Sequence, residues 1–269
     1  MNTDKVIRQK ARTALMLARR VGHVLRTEGP VPATRTLSTA LQGFLPWKRR
    51  TETKASDFDL ANGVDTSGVV RVASMEISSP NYLYARYYKA SNQAHFQSAM
   101  AGLRINHSEY TFIDYGSGKG LTLLLASHYP FRRIVGVEFG ADLHRIAERN
   151  IAAYSNPARR CFAVESVCGD VTEYTPPSGP LVCYFYDPFE PLVLSRVIEV
   201  LHGSWLQERR PVIIVYYGAP KTSTLHAEAG AREQILLGSG FLRKARTEDS
   251  IDVFESQEVS QENVHHACS

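Results

Sequence analysis

Asp114-x-Gly116-x-Gly118-x-Gly120 sets three glycines at alternate positions directly after the apolar run Thr111, Phe112 and Ile113. Glycine is the costliest residue to order, so such a run marks backbone that something must approach closely. A P-loop would need G-x-x-x-x-G-K-[ST], but Ile113 stands five residues before Gly118 and Gly120 follows Lys119. The phosphate role for Lys119 therefore fails, leaving it as a solvent-facing residue of the first helical turn with no assigned task. A dinucleotide fingerprint would need G-x-G-x-x-G, and Leu121 occupies the third glycine's place. Three acids end later apolar runs. Glu138 lies 24 residues after Asp114, where a carboxylate can accept hydrogen bonds from both hydroxyls of a ribose or simply face solvent. Asp170 sits in "CGDV", where an aspartate also serves to cap a local turn. Asp187 opens "DPF"; it can orient or deprotonate a nucleophile, and Phe189 can stack on a substrate or a cation. Asp-Pro equally starts turns.

The elements that must position these residues alternate along the chain. "YTFIDYG" reads as a strand, "LTLLLASHY" as a helix, "RIVGVEFG" as a strand, and "ADLHRIAERNIAAY" as a helix with Leu143, Ile146, Ala147 and Ile151 on one face. "CFAVESVCGD" contains the next strand, "PLVCYFYDPF" and "RPVIIVYYG" are apolar throughout, and "VLSRVIEVLHGSWL" is the helix between them. After a helix near "HAEAGAREQILL", the segments "GFLRKARTED" and "SIDVFES" form a closing antiparallel pair. Upstream, "NYLYARYYKASNQAHFQSAMAGL" runs from a tyrosine-rich loop into a helix with Phe96, Met100 and Leu103 on one face. Apolar strands separated by helices imply an α/β fold, a doubly wound and mostly parallel sheet covered on both faces. Ligands of such sheets bind beyond the carboxyl ends of the strands, where the strand order reverses.

The pattern Asp114-x-Gly116-x-Gly118-x-Gly120, followed at suitable distances by Glu138 and Asp170, resembles the first motifs of class I, Rossmann-type S-adenosylmethionine-dependent methyltransferases. The resemblance spans roughly residues 57 to 220 and implies a seven-stranded, mostly parallel sheet with a C-terminal antiparallel strand. It also implies S-adenosyl-L-methionine as cofactor, with the glycines beside its methionine and ribose portions and Asp114 fixing the loop or meeting its amino group. Glu138 would then take the ribose hydroxyls, Asp170 the adenine amino group, and the Val171 amide the ring. No metal is required. "YDPF", residues 186 to 189, stands where nitrogen methylators often carry [DNS]-P-P-[YFW]; here Phe189 replaces the second proline and Glu190 the aromatic. Tyr88-x-x-Ser91 resembles the Y-x-P-[ST] element of non-SET protein-lysine methyltransferases, which closes over the methionine end of the cofactor, with Ala90 in the proline's place. The plainer alternatives are a packed aromatic cover for Tyr82, Tyr84, Tyr87 and Tyr88, and a helix N-cap for Ser91. The stretch from "FDLANGVDTSG" through "IVYYGAP" is also similar to a widespread group of bacterial class I methyltransferases. The resemblance thus implies methyl transfer to a protein side-chain amine, with small-molecule N- or O-methylation or a non-catalytic cofactor-binding module as alternatives.

Charge divides the 269-residue chain at residue 54. Residues 1–54 hold 12 Lys/Arg against 3 Asp/Glu, a net of +9, and residues 55–269 hold 19 against 24, a net of −5. Residues 4 to 26 read as a basic amphipathic helix and 30 to 56 as a linker, so the expected organisation is a basic extension, 1–54, followed by the cofactor-binding domain, 55–269. Such a helix can pack on the domain, lie on an anionic membrane, meet a protein partner, act as a transit peptide, or hold nucleic acid. The net negative domain ranks nucleic acid below a protein or small-molecule acceptor. No apolar run reaches the roughly 20 residues of a membrane span, and the start lacks the apolar core and cleavage site of a secretory signal; a cytoplasmic location is expected. Cys161, Cys168, Cys183 and Cys268 show neither C-x-x-C spacing nor a matching histidine cluster and are expected to be reduced thiols, Cys183 buried in a strand.

Overall fold

Strands apolar at every position must be covered on both sides, which fixes the layering before any detail of the chain path. The computed structural model describes residues 55–70, 75–77, 88–218, 226–248 and 250–257, together with 15, 18, 19, 21, 22, 25 and 26. Those last seven are all helical. The rest of the expected N-terminal helix, the linker up to residue 54, Tyr82, Tyr84, Tyr87 and Cys268 lie outside the described residues.

Helix α1 (Asp57–Asn62) opens the described domain, capped by the Ser56 hydroxyl and ended by Gly63 in the left-handed conformation. A short antiparallel ribbon follows, β1 (Val69–Val70) on β2 (Tyr88–Lys89). Then come α2 (Gln93–Ala101), β3 (Thr111–Tyr115), α3 (Leu121–Ala126), β4 (Arg133–Glu138), α4 (Ala141–Ala153), β5 (Val164–Cys168) and β6 (Leu181–Tyr186). The chain continues through α5 (Pro191–Gln207), β7 (Val212–Tyr217), α6 (His226–Gly238), β8 (Leu242–Glu248) and β9 (Ile251–Ser256).

Strands β3 to β9 form one seven-stranded sheet in the order β5-β4-β3-β6-β7-β9-β8. The five from β5 to β7 run parallel, and β9 is antiparallel to both of its neighbours. The expected α/β sheet is therefore present, and the closing pair has a refinement: β9 inserts between β7 and β8. The order reverses at β3, from which the chain first builds outward to β5 and then returns to lay β6 on the other side. The carboxyl ends of β3 and β6 flank the crevice this reversal creates.

Both faces are filled. On one, Ile113, Val135, Cys183, Phe185 and Ile214 pack beneath Val193, Val197 and Leu201 of α5. On the other, Phe112, Ile134, Tyr184 and Ile213 meet Phe96 and Met100 of α2 and Leu123 of α3. Cys183 is buried in β6, as its run implied. No helix among the described residues is long and apolar enough to cross a membrane.

Candidate functional site

The glycine loop joins β3 to α3. Gly116, Gly118 and Gly120 have φ of 90°, 55° and 84°, a region that side chains rarely adopt. The amides of Gly116 and Ser117 donate to the Val137 carbonyl, tying the loop to the end of β4 (2.9 and 3.1 Å). The Glu138 carboxylate completes the join. Its Oε2 accepts from the Gly118 amide at 2.8 Å and its Oε1 from the Gly140 amide at 2.7 Å. Glu138 is 3% exposed, and burial pushes its carboxyl up to about 7 against the pull of those amides. Asp114, one strand over, is 2% exposed. Burial raises it to about 8, the Thr122 hydroxyl opposes the rise, and the charge of Glu138 adds to it. Among the described residues neither carboxyl has a lysine or arginine partner.

Thr122 links Asp114 to the segment ahead of α2, its hydroxyl meeting that of Ser91 at 3.2 Å. Ser91 is not the cap of that helix: Asn92 is, its side chain accepting from the His95 amide at 3.0 Å. Ser91 therefore faces inward, toward the glycine strand.

The space beside each loop glycine is filled by the protein itself. A Cβ at Gly116 would come within 2.8 Å of Pro188 Cβ, one at Gly118 would fall on the Tyr88 ring, and one at Gly120 would sit 3.2 Å from Ala147 Cβ. Gly116 thus admits the "DPF" turn, Gly118 admits Tyr88, and Gly120 lets α3 approach α4. Tyr88 is buried enough for its phenol to be pushed well up; the nearby charges of Asp59, Asp65 and Glu138 add to this. Its hydroxyl donates to the Thr66 carbonyl at 2.5 Å.

Lys119 corrects the sequence reading. It is 8% exposed rather than solvent-facing, and its Nζ donates to Asp65 Oδ1 at 2.6 Å and to the Ser67 carbonyl at 2.8 Å. Asn150 of α4 braces the same place, donating to the carbonyls of Asp65 and Lys119 and accepting from the Asp65 amide (2.8, 2.8 and 2.9 Å). The strap so held is organised by Asp59, whose carboxylate accepts from the Thr66 amide and hydroxyl and from the Ser67 amide. Burial works to raise the Asp59 carboxyl, and these bonds outweigh it, leaving it below the ordinary carboxylate value.

Across the crevice, Asp187 follows β6 with φ of 44°, the sole non-glycine residue at positive φ among those described. Such a conformation is held only where its surroundings enforce it. Its Oδ1 accepts from the Tyr216 hydroxyl at 3.2 Å and lies 3.1 Å from Arg232 Nη2. The Arg232 side chain, from α6, is 3% exposed. Phe189 is buried, edge-on to Phe185 (ring centroids 6.3 Å apart), and beside Gly116. At the end of β5, Asp170 Oδ1 accepts from the Thr172 amide (2.9 Å) and hydroxyl (2.7 Å), the local turn cap, while Val171 is buried in the core. The Gly169 amide donates to the Glu138 carbonyl and keeps this turn next to β4.

Sequence reasoning missed Asn150, Arg232 and the Lys119–Asp65 pair. Two carried a signal. Asn150 lies on the same face of α4 as Leu143 and Ala147, and Arg232 lies one turn from buried Leu236; a polar residue on an apolar stripe asks for a buried partner.

No protein-family model and no curated protein matches the chain. Among solved structures, the chain is similar to the pyocyanin biosynthetic protein PhzM, at 15% identity over 60% of this chain and 54% of that one, TM-score 0.43. It spans about half the length of PhzM. It is also similar to magnesium protoporphyrin IX methyltransferase (ChlM) from Synechocystis PCC 6803 with bound SAM, at 20% identity over 61% and 78% of the two chains, TM-score 0.43. A third similar chain is the methyltransferase domain of bacterial-CtHen1-CN, at 14% identity over 62% and 99%, TM-score 0.45.

Proposed function

We propose that this chain is an S-adenosylmethionine-dependent methyltransferase whose acceptor is an amine on a protein side chain. One observation carries the cofactor assignment: Asp114 and Glu138, two fully buried carboxyls without a cationic partner among the described residues, flank a left-handed glycine loop at the sheet's reversal point. Buried acids call for donors or positive charge. A ligand with an ammonium, a sulfonium and two ribose hydroxyls supplies both. Glu138 would hold the hydroxyls, its oxygens having acceptor capacity beyond the backbone amides they now take. Asp114 would face the amino group, Asp170 and the Val171 amide the adenine, and Gly116, Gly118, Gly120, Tyr88 and Ser91 the methionine end.

When bound, the cofactor supplies a methyl already activated on a sulfonium, so that a bond from acceptor nitrogen to carbon forms as the carbon–sulfur bond breaks and a neutral thioether leaves. The protein's part is to position the amine and exclude water. Asp187 would accept the N–H of the incoming nitrogen and take up the proton it loses; Phe189 would wall the transfer path. The Tyr88-x-x-Ser91 resemblance supports a protein acceptor. A small-molecule acceptor is the second reading, supported by Arg232, which already engages the carboxylate that would otherwise receive a protein ammonium. Incubating the protein with tritiated S-adenosylmethionine and lysate of cells lacking the gene separates the two. Label in a protein band supports the first, label confined to small molecules supports the second, and no binding of cofactor overturns both.

A further inference from the structure

A buried ammonium is costly unless its charge and donors are met. Lys119 meets them with residues 52 and 54 positions away in the chain, the Ser67 carbonyl and the Asp65 carboxylate. It thereby joins the glycine loop to a segment that packs outside the sheet. The Asp65 side chain is 65% exposed, so the join is made at the solvent edge. Immediately beside it the same segment presents the Thr66 carbonyl to the Tyr88 hydroxyl. The Tyr88 ring in turn fills the space over Gly118, whose amide holds Glu138. Glu138 is 3% exposed, and the Tyr88 ring lies over the very glycine whose amide Glu138 holds.

We propose that Lys119 is a positioning residue that clamps the 63–70 strap to the glycine loop and, through Thr66, sets Tyr88 over Gly118, so that cofactor exchange waits on the opening of this clamp. The inference rests on the reading of the loop as the cofactor site. Asn150 holds the strap from α4, and the Lys119 end of the charged tie lies 6.0 Å from the Tyr88 ring centroid.

Full-length wild type is compared with Lys119→Met, Asp65→Asn and Lys119→Arg, by amide hydrogen exchange over residues 63–70 and by the dissociation rate of S-adenosylhomocysteine in stopped flow. Loss of a charge-assisted pair speeds opening by about ten- to hundredfold. Lys119→Met and Asp65→Asn are therefore expected to accelerate both exchange and dissociation by that factor, with Lys119→Arg close to wild type. Faster exchange with unchanged dissociation overturns the proposal, as does unchanged exchange. Should Lys119→Met not fold, Asp65→Asn, altered on the exposed partner, carries the test. Failure of the wild type itself to bind S-adenosylhomocysteine overturns the cofactor reading and the clamp with it, and is distinct from binding that the variants leave unaltered, which overturns the clamp alone.

Discussion

The two walls of the crevice handle their carboxylates in opposite ways. On the β3–β4 wall, Asp114 and Glu138 are buried beside backbone amides and a hydroxyl, and burial lifts both carboxyls well above the ordinary range. On the β6–β7 wall, Asp187 is met by a buried arginine and a tyrosine. On the proposed function, the first wall is the one that receives the cofactor's donors and positive charge. On the second, the Asp187 carboxylate already has a charged and a hydroxyl partner within the protein. On the proposed function, a site that first takes a charged cofactor and then presents a fixed group to a second substrate gains from that division.

The difference is broken most severely by Asp187→Ala, which removes the carboxylate lying 3.1 Å from the buried Arg232 guanidinium. The expected cost is about 3–5 kcal/mol in denaturant unfolding. The double change Asp187→Asn with Arg232→Met is expected to recover most of it, because the buried guanidinium is removed together with the carboxylate it faces. Next in size, Gly118→Ala forces a side chain into a left-handed position and onto the Tyr88 ring, for about 1–3 kcal/mol of stability by the same measurement. Asp114→Asn sharpens the contrast. At about pH 8 it removes a carboxyl whose anion burial disfavours, so unfolding stability is expected to rise by at least about 1 kcal/mol while cofactor affinity in calorimetry falls about tenfold.

The same two acids give a pH dependence. Since the folded values of Asp114 and Glu138, about 8 and about 7, lie above their ordinary values of 3.8 and 4.5, the folded protein holds more protons than the unfolded chain between these limits. The stability of the free protein from these groups is accordingly full below about pH 4 and declines as pH rises through about 7 to 8. On the proposed function, cofactor binding has the opposite slope. It favours the ionised carboxyls, so affinity is expected to rise about tenfold from pH 6 to 8 with release of protons, read by calorimetry in two buffers of different ionisation enthalpy. Affinity flat across that range would place the cofactor's charge away from both acids.

Much of this was legible beforehand because it is local. β6 and β7, apolar through their length, could lie only in a covered parallel sheet, and the three glycines had to mark a close approach at its edge. What the glycines approach was not legible. Tyr88, Pro188 and Ala147 come from three other elements, and nothing in the spacing of the loop names them. Lys119 misled for the same reason: on the first turn of a helix it reads as a surface charge, and only the folded position of Asp65 makes it a buried one. The expected roles of Asp170 and Ser91 were legible as types and not as partners, since Asp170 caps Thr172 and Ser91 turns toward Thr122.

The placing of β9 between β7 and β8 has a consequence for the order in which the molecule can be made. During synthesis a chain folds as it emerges, at about 5–20 residues per second. β8 leaves the ribosome before β9 but has no place in the sheet until β9 arrives to pair with both it and β7. Until then the edge of β7, with Ile213, Ile214 and Val215, is an unpaired apolar template of the kind that recruits foreign strands. The wall that carries Tyr216 and receives Arg232 is therefore the last part of the sheet to be closed, and the part most dependent on whatever shields a nascent chain.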